Sequence, residues 1–164
     1  MGQPPTRILF VCMGNICRSP AAEGIMNHLL RRENLQEQFV CDSAGTIGYH
    51  RGSPPDERMQ LAAQKRGIRL TGSARQFERA DFERFDLILT MDRQNYWDVL
   101  ALDPDNRYQH KVKMMGEFCR RYSQKEVPDP YYGGAAGFEL VLDLLTDACE
   151  GLLAELRQSP TQTF

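Results

Sequence analysis

Arg7 to Leu30 reads RILFVCMGNICRSPAAEGIMNHLL, and this stretch decides the fold. Arg7–Val11 is a short run of strand formers that ends in a Gly and Asn loop, which predicts a buried strand. After the loop, Ala22, Ile25, Met26, Leu29 and Leu30 recur at helical spacing. Ser19 suits the N-cap and Pro20 the first helical position. Working outward, Phe39–Ser43 reads as a second strand, followed by a Gly-rich loop to Pro55 and a helix to Arg66 that Gly67 closes. Phe85–Met91 is a further strand, Arg93–Leu102 a helix, and Val112–Met115 a fourth strand. A last helix carries Phe138, Val141, Leu142, Leu145, Ala148, Cys149, Leu152, Leu153 and Leu156 along one stripe. Strands alternating with helices predict an α/β fold whose mostly parallel sheet is covered on both faces. Such sheets bind ligands where loops leave the carboxyl ends of strands, and the loop after the first strand is one of these.

The 164 residues suit a single domain over 1–164, with an ordered core from about 6 to 157 and frayed ends at Pro4-Pro5 and Ser159-Pro160-Thr161. A net charge of −2 argues against a broad cationic surface, so no nucleic acid partner is expected. The apolar run Ile8–Val11 is far below the roughly 20 residues of a membrane span and too short for a signal peptide. A cytoplasmic protein without a membrane partner is therefore expected. Met1-Gly2-Gln3-Pro4-Pro5-Thr6 fits the permissive myristoylation pattern, though a proline pair interrupts it. The five cysteines are an odd number in a chain large enough to need no staples, which points to reduced thiols. No Cys-x-x-Cys occurs and the three His form no zinc spacing, so neither metal nor other cofactor is expected.

Cys12-Met13-Gly14-Asn15-Ile16-Cys17-Arg18-Ser19 places a thiol, successive backbone N–H groups, a guanidinium and a helix N-terminus around one point. Each favours an anion. Gly14 permits a tight backbone path, and the planar fork of Arg18 can hold two phosphate oxygens. The same field stabilises Cys12 as thiolate, which is the nucleophilic form. A nucleophile within a phosphate cradle suggests attack on phosphorus, with the N–H groups and Arg18 holding the equatorial oxygens. The Cys-to-Arg spacing alone is weak evidence; what raises it is its placement between a strand and a helix. The bland alternative for Cys12 is a small buried hydrophobe. Transfer from an ester oxygen also needs an acid. Asp129, in Val127-Pro128-Asp129-Pro130-Tyr131-Tyr132-Gly133-Gly134, is the candidate, against the plainer reading of an Asp that starts a turn.

With these residues assembled, the chain resembles the low-molecular-weight protein tyrosine phosphatases along nearly its whole length. The resemblance rests on Val11–Pro20, Asp42-Ser43-Ala44-Gly45-Thr46, Pro55-Asp56, Ala74-Arg75-Gln76-Phe77, Asp86–Leu89 and Asp129-Pro130-Tyr131-Tyr132-Gly133. It implies a four-stranded parallel sheet flanked by helices and metal-free hydrolysis of phosphotyrosine in proteins, with phosphate as product or inhibitor. By the same match, Cys12 attacks phosphorus, Arg18 binds the phosphoryl oxygens, and Asp129 protonates the tyrosyl oxygen and then activates water. Asn15, Ser19 and Ser43 fall on a supporting hydrogen-bond network. Tyr49 and Tyr131 would flank the substrate ring, beside Tyr132, while Met13, Ile47 and His50 would tune the peptide preferred. Cys17 is implied to trap oxidised Cys12 as a reversible disulfide, which is chemically sound, and phosphorylation of Tyr131 or Tyr132 is a family possibility. Many eukaryotic members carry a His where this chain has Gly72, which puts the outer part of the network in question.

Three rivals share these features. An arsenate reductase of the same architecture would need further cysteines near residues 80 to 92, and Ala80–Asp92 contains none. A dead phosphotyrosine-binding module would not need Cys12, Arg18 and Asp129 together. A redox sensor would make the Cys12–Cys17 pair the function itself. Of the remaining side chains, His28 and His110 read as helix or surface residues and Cys41 and Cys149 as core; Arg75 and Asp92 carry no argument for a role.

Overall fold

The computed structural model describes residues 3–158. The Met1-Gly2 start of the myristoylation pattern and the Ser159-Pro160-Thr161 end therefore lie outside the described residues. Four parallel strands, β1 (Thr6–Cys12), β2 (Phe39–Gly45), β3 (Leu87–Thr90) and β4 (Val112–Met114), form one sheet in the order β2-β1-β3-β4. Five helices accompany them: α1 (Arg18–Arg32), α2 (Glu57–Gln64), α3 (Asp81–Arg84), α4 (Arg93–Leu100) and α5 (Ala135–Gln158). The strand order reverses between β1 and β3, and the carboxyl ends of these two strands form the crevice where such sheets bind ligands.

The side-chain period of two explains the continuous apolar run in β1. Ile8, Phe10 and Cys12 face a core built with α1, α2 and α5. Leu9 and Val11 face a second core with Phe82, Phe85 and Val99, on the side of α3 and α4. Both faces are buried, so neither tolerates polar alternation. The expected stripe of α5 is buried throughout, from Phe138 to Leu156, and Ile25, Met26, Leu29 and Leu30 of α1 bury against the same core. The second helix ends at Gln64, two residues short of the expected Arg66, and Gly67 closes the turn that follows: at φ +76 its N–H reaches Gln64 O, and Ile68 N–H reaches Ala63 O. This paired closure requires a left-handed residue, which glycine adopts without strain.

Two local expectations are corrected. The first helix begins at Arg18, with Cys17 rather than Ser19 at the N-cap and no capping side-chain bond. Ser19 is drawn inward by Asn15 instead, and Pro20 lies in the first turn, where its missing N–H costs no helical bond. The short helix α3 is an element the periodicity did not reveal, since four residues are too few to set a pattern. None of the described helices is long and apolar enough to cross a membrane.

Candidate active site

Cys12 is the last residue of β1, and its sulfur faces the turn that leads into α1. The carbonyls around the turn are held from outside: Cys12 O by Thr46 N–H, Met13 O by Ile47 N–H, and Ile16 O by Asp56 N–H. Among the described residues, the N–H groups of Gly14, Asn15, Ile16 and Cys17 meet no protein acceptor. Successive unpaired amides at a helix N-terminus form an anion cradle.

The left-handed step in this turn belongs to Asn15, at φ +58, and not to Gly14. Asn15 is 3% exposed and every hydrogen-bonding edge of its amide is used. Its Nδ2 donates to Ser19 Oγ at 2.8 Å and to Ser43 Oγ at 3.0 Å, while Oδ1 accepts from Arg75 N–H at 2.9 Å. These three bonds hold a conformation that a non-glycine residue adopts only when its surroundings enforce it. A Cβ at Gly14 would come 3.0 Å from the half-buried His50 ring, so a side chain there would require that ring to shift. The Arg75 backbone amide answers the question raised by Gly72, because the outer edge of Asn15 is met by main chain. Ser19 Oγ lies 3.1 Å from Cys12 Sγ. Since Asn15 already donates to that oxygen, the Ser19 proton faces two acceptors, the sulfur at 3.1 Å and Ala44 O at 3.4 Å.

Arg18 is 2% exposed and divided in use. Its Nη1 donates to Asp92 Oδ2 at 2.7 Å and to Val127 O at 3.0 Å. Its Nε is buried with no partner among the described residues, and Nη2 lies 3.7 Å from Asp129 Oδ2. One edge of the guanidinium is thus fixed to the protein, and the other offers two donors to the cavity. Burial works against the charge on Arg18, but negative charge at Cys12, Asp92 and Asp129 outweighs it and holds its pKa above the ordinary arginine value. Cys17 is the opposite case. Burial, reinforced by Asp56, Cys12 and Asp129, pushes its thiol far above the usual range. All five cysteines are free.

Asp129 is delivered by a segment anchored at Val127, whose N–H binds Met91 O and whose O binds Arg18. Its Oδ1 accepts from Tyr131 N–H at 3.0 Å, closing a local turn, and its side chain is 31% exposed beside the cavity. The turn and the candidate acid position coincide, so the two readings of Asp129 do not exclude each other. The cavity measures about 40 Å³ and is lined by Cys12, Gly14, Arg18, His50, Asp129 and Tyr131, with Met13, Ile16, Cys17, Ile47 and Tyr132 completing its wall. It has room for a tetrahedral anion, and a larger organic group must rest among the rim side chains. Surface grooves of about 570 and 610 Å³ elsewhere are bigger, yet neither gathers comparable donors or a nucleophile. Among the described residues no group of His, Cys, Asp and Glu is placed to hold a metal ion.

The rim departs from expectation in one place. The Tyr131 and His50 rings lie 5.9 Å apart at the mouth, whereas Tyr49 packs edge-on to the outer side of His50 at 4.8 Å, is 83% exposed and does not line the cavity. Exposed Tyr132 stacks edge-on against Tyr131. Asp92 and Arg75 acquire the roles the sequence left unassigned. Asp92 N-caps α4 through Oδ1, in a reciprocal pair with Asn95, and fixes Arg18 through Oδ2. It stands just past β3, and an N-cap at the carboxyl end of the strand beside β1 is the signal that could have found it. The Arg75 guanidinium is gripped by fully buried Asp81 and by Asp42. No local pattern announces that pairing.

A model of the family described as low molecular weight phosphotyrosine protein phosphatase matches residues 7–162. A Synechocystis protein named as a low molecular weight protein-tyrosine-phosphatase is 57% identical over 150 residues, spanning 92% of this chain and 96% of that one. A crystal structure of a protein tyrosine phosphatase from Entamoeba histolytica, with Hepes in its active site, superposes at a TM-score of 0.91 with 44% identity over 94% of this chain and 99% of that one. A Drosophila arginine phosphatase superposes at 0.85 with 31% identity, over 92% and 97%.

Proposed function

The chain belongs to the low molecular weight phosphotyrosine protein phosphatase family, and from that premise we propose that it hydrolyses phosphotyrosine in proteins through a cysteinyl-phosphate intermediate on Cys12, without a metal ion. The observation that carries this reading is the cavity-facing edge of Arg18 near Cys12, with Nε buried without a partner among the described residues and Nη2 3.7 Å from Asp129 Oδ2. Bound there, a phosphoryl group would rest its oxygens on the amides of residues 14–17 and on Nε and Nη2 of Arg18. Cys12 donates its electron pair to phosphorus as the bond to the tyrosyl oxygen breaks, and Asp129 gives that oxygen its proton. Asp129, now a carboxylate, takes a proton from water as the water oxygen attacks phosphorus and the sulfur leaves. Phosphate is released, and it inhibits by occupying the same cradle.

The remaining assignments follow the same logic. Met13, Gly14, Asn15, Ile16, Cys17 and Ser19 form the phosphate-binding loop, and Ser43 supports it. Tyr131 and His50 take the substrate ring, and Ile47, Tyr49 and Tyr132 meet the flanking peptide. Cys17, kept as a thiol, condenses with Cys12 once the latter is oxidised to sulfenic acid. The protein acts in the cytoplasm as one domain over residues 1–164, with phosphotyrosine-containing proteins as its partners and neither nucleic acid nor membrane among them.

Assay of phosphotyrosyl, phosphoseryl and phosphoarginyl peptides in excess chelator tests the substrate class. The expected result is turnover of the phosphotyrosyl peptide at the rate seen without chelator. Preference for the phosphoarginyl peptide, or loss of activity to the chelator, would overturn the reading.

A further inference from the structure

Arg58 stands in the first turn of α2 and does not line the cavity, yet its guanidinium reaches the aromatic wall from behind. Its Cζ lies 5.3 Å from the centroid of the Tyr131 ring and 4.8 Å from that of Phe138, a buried residue of α5. The carboxylate of Asp56 dictates this placement. Nε donates to Asp56 Oδ1 at 3.1 Å and Nη2 to Asp56 Oδ2 at 2.9 Å, so the two oxygens fix the plane of the fork. Asp56 is held in turn: Oδ1 accepts from Arg58 N–H at 2.8 Å as the N-cap of α2, and the Asp56 N–H binds Ile16 O at 2.8 Å. One residue thus ties the phosphate cradle on one side to the cation behind Tyr131 on the other.

The Tyr131 ring depends on such a partner. Among the described residues, the hydrogen bonds of residues 130–134 run only within 129–137: Tyr131 N–H to Asp129 Oδ1, Gly133 N–H to Pro130 O and Gly137 N–H to Gly134 O. None of them sets the height of the ring above the cradle, which is left to packing against the core, His50, Tyr132 and Arg58. Tyr132 belongs to the same segment and His50 to the opposite rim. Arg58 is the polar group that fixes the ring from behind, and a cation over an aromatic face is attracted by the ring quadrupole.

We propose that Arg58 is a positioning residue for substrate choice: clamped by Asp56, it holds the Tyr131 ring at a set height above the phosphate cradle, so that the site favours aryl over alkyl phosphoryl groups. The inference rests on the reading that gives Tyr131 to the substrate ring, and its test uses binding rather than turnover so that the two can fail separately.

The test measures calorimetric affinities for benzylphosphonate, a non-hydrolysable match for phenyl phosphate, for methylphosphonate and for inorganic phosphate. Arg58→Ala should lose about 2- to 5-fold of the preference for benzylphosphonate over methylphosphonate, the scale of one cation–π contact at an exposed site. Methylphosphonate and phosphate should bind as in wild type, because they touch only the cradle. Arg58→Gln keeps much of the stem but loses the planar cation, and it should lose as much as Arg58→Ala. In a Tyr131→Leu background Arg58→Ala should change nothing further, since a residue that acts through another has no effect once that other is gone. A preference retained in either Arg58 variant, equal losses for all three anions, or losses that add to those of Tyr131→Leu would overturn the proposal. Equal wild-type affinity for the two phosphonates would overturn it together with the ring assignment of Tyr131. A wild-type protein that prefers benzylphosphonate but hydrolyses no phosphotyrosyl peptide would instead refute the phosphatase reading and leave the role of Arg58 supported.

Discussion

Cys12→Ser should lose hydrolysis of phenyl phosphates by at least about 10⁴-fold, the scale seen when a nucleophile is removed from an otherwise intact site. The expectation is sharp because the substitution leaves the cradle alone. The amides of residues 14–17 are arranged by carbonyl bonds to Thr46, Ile47 and Asp56, and by Asn15, none of which involves the Cys12 side chain. Arg18 is held by Asp92 and Val127. Phosphate or vanadate should therefore still bind, which a calorimetric titration reads directly. Substantial activity in the variant would remove Cys12 as nucleophile, and loss of anion binding would mean that the sulfur shapes the loop.

Asp129→Asn should slow esters with poor leaving groups by about 10²–10⁴-fold and those with good ones much less, because only the former need a proton as the ester bond breaks. The substitution is close to isosteric, and an Asn side-chain oxygen can keep the bond from Tyr131 N–H that closes the local turn. The anchor at Val127 is untouched. A series of aryl phosphates of graded leaving-group acidity gives the readout: the slope of rate against acidity should steepen in the variant. An equal loss across the series would place the acid elsewhere.

The region around Cys12 was legible in the sequence because strand, loop and helix each announce themselves locally and follow in chain order. The stripe of α5 was legible for a related reason: a 24-residue helix repeats its pattern often enough to be read. What stayed hidden depends on contacts between distant residues. Asp92 meets Arg18 across 74 positions, and Arg75 meets Asn15 across 60. The N-cap at Asp92 marks its position but not its partner, and the Arg75 pairing leaves no local trace. Ser19 misled for a physical reason. Its hydroxyl is a good cap in isolation, but in the fold Asn15 and the Cys12 sulfur compete for it and win. The left-handed step at Asn15 was hidden for the same reason, because only its three tertiary bonds make an asparagine adopt a conformation that glycine usually takes. Tyr49, assigned by resemblance to the wall that holds the substrate ring, packs edge-on against His50 outside the lining of the cavity.

The measurement that bears most directly on the chemistry is rapid acid quench of the Asp129→Asn variant mixed with a ³²P-labelled aryl phosphate that has a good leaving group, followed by peptide mapping. Loss of the base that activates water should let the phosphorylated enzyme accumulate, and the label should map to the peptide bearing Cys12 as an acid-stable, iodine-labile thiophosphate. Release of the aryl group with label on another residue, or turnover without any protein-bound phosphorus, would contradict a covalent path through that sulfur.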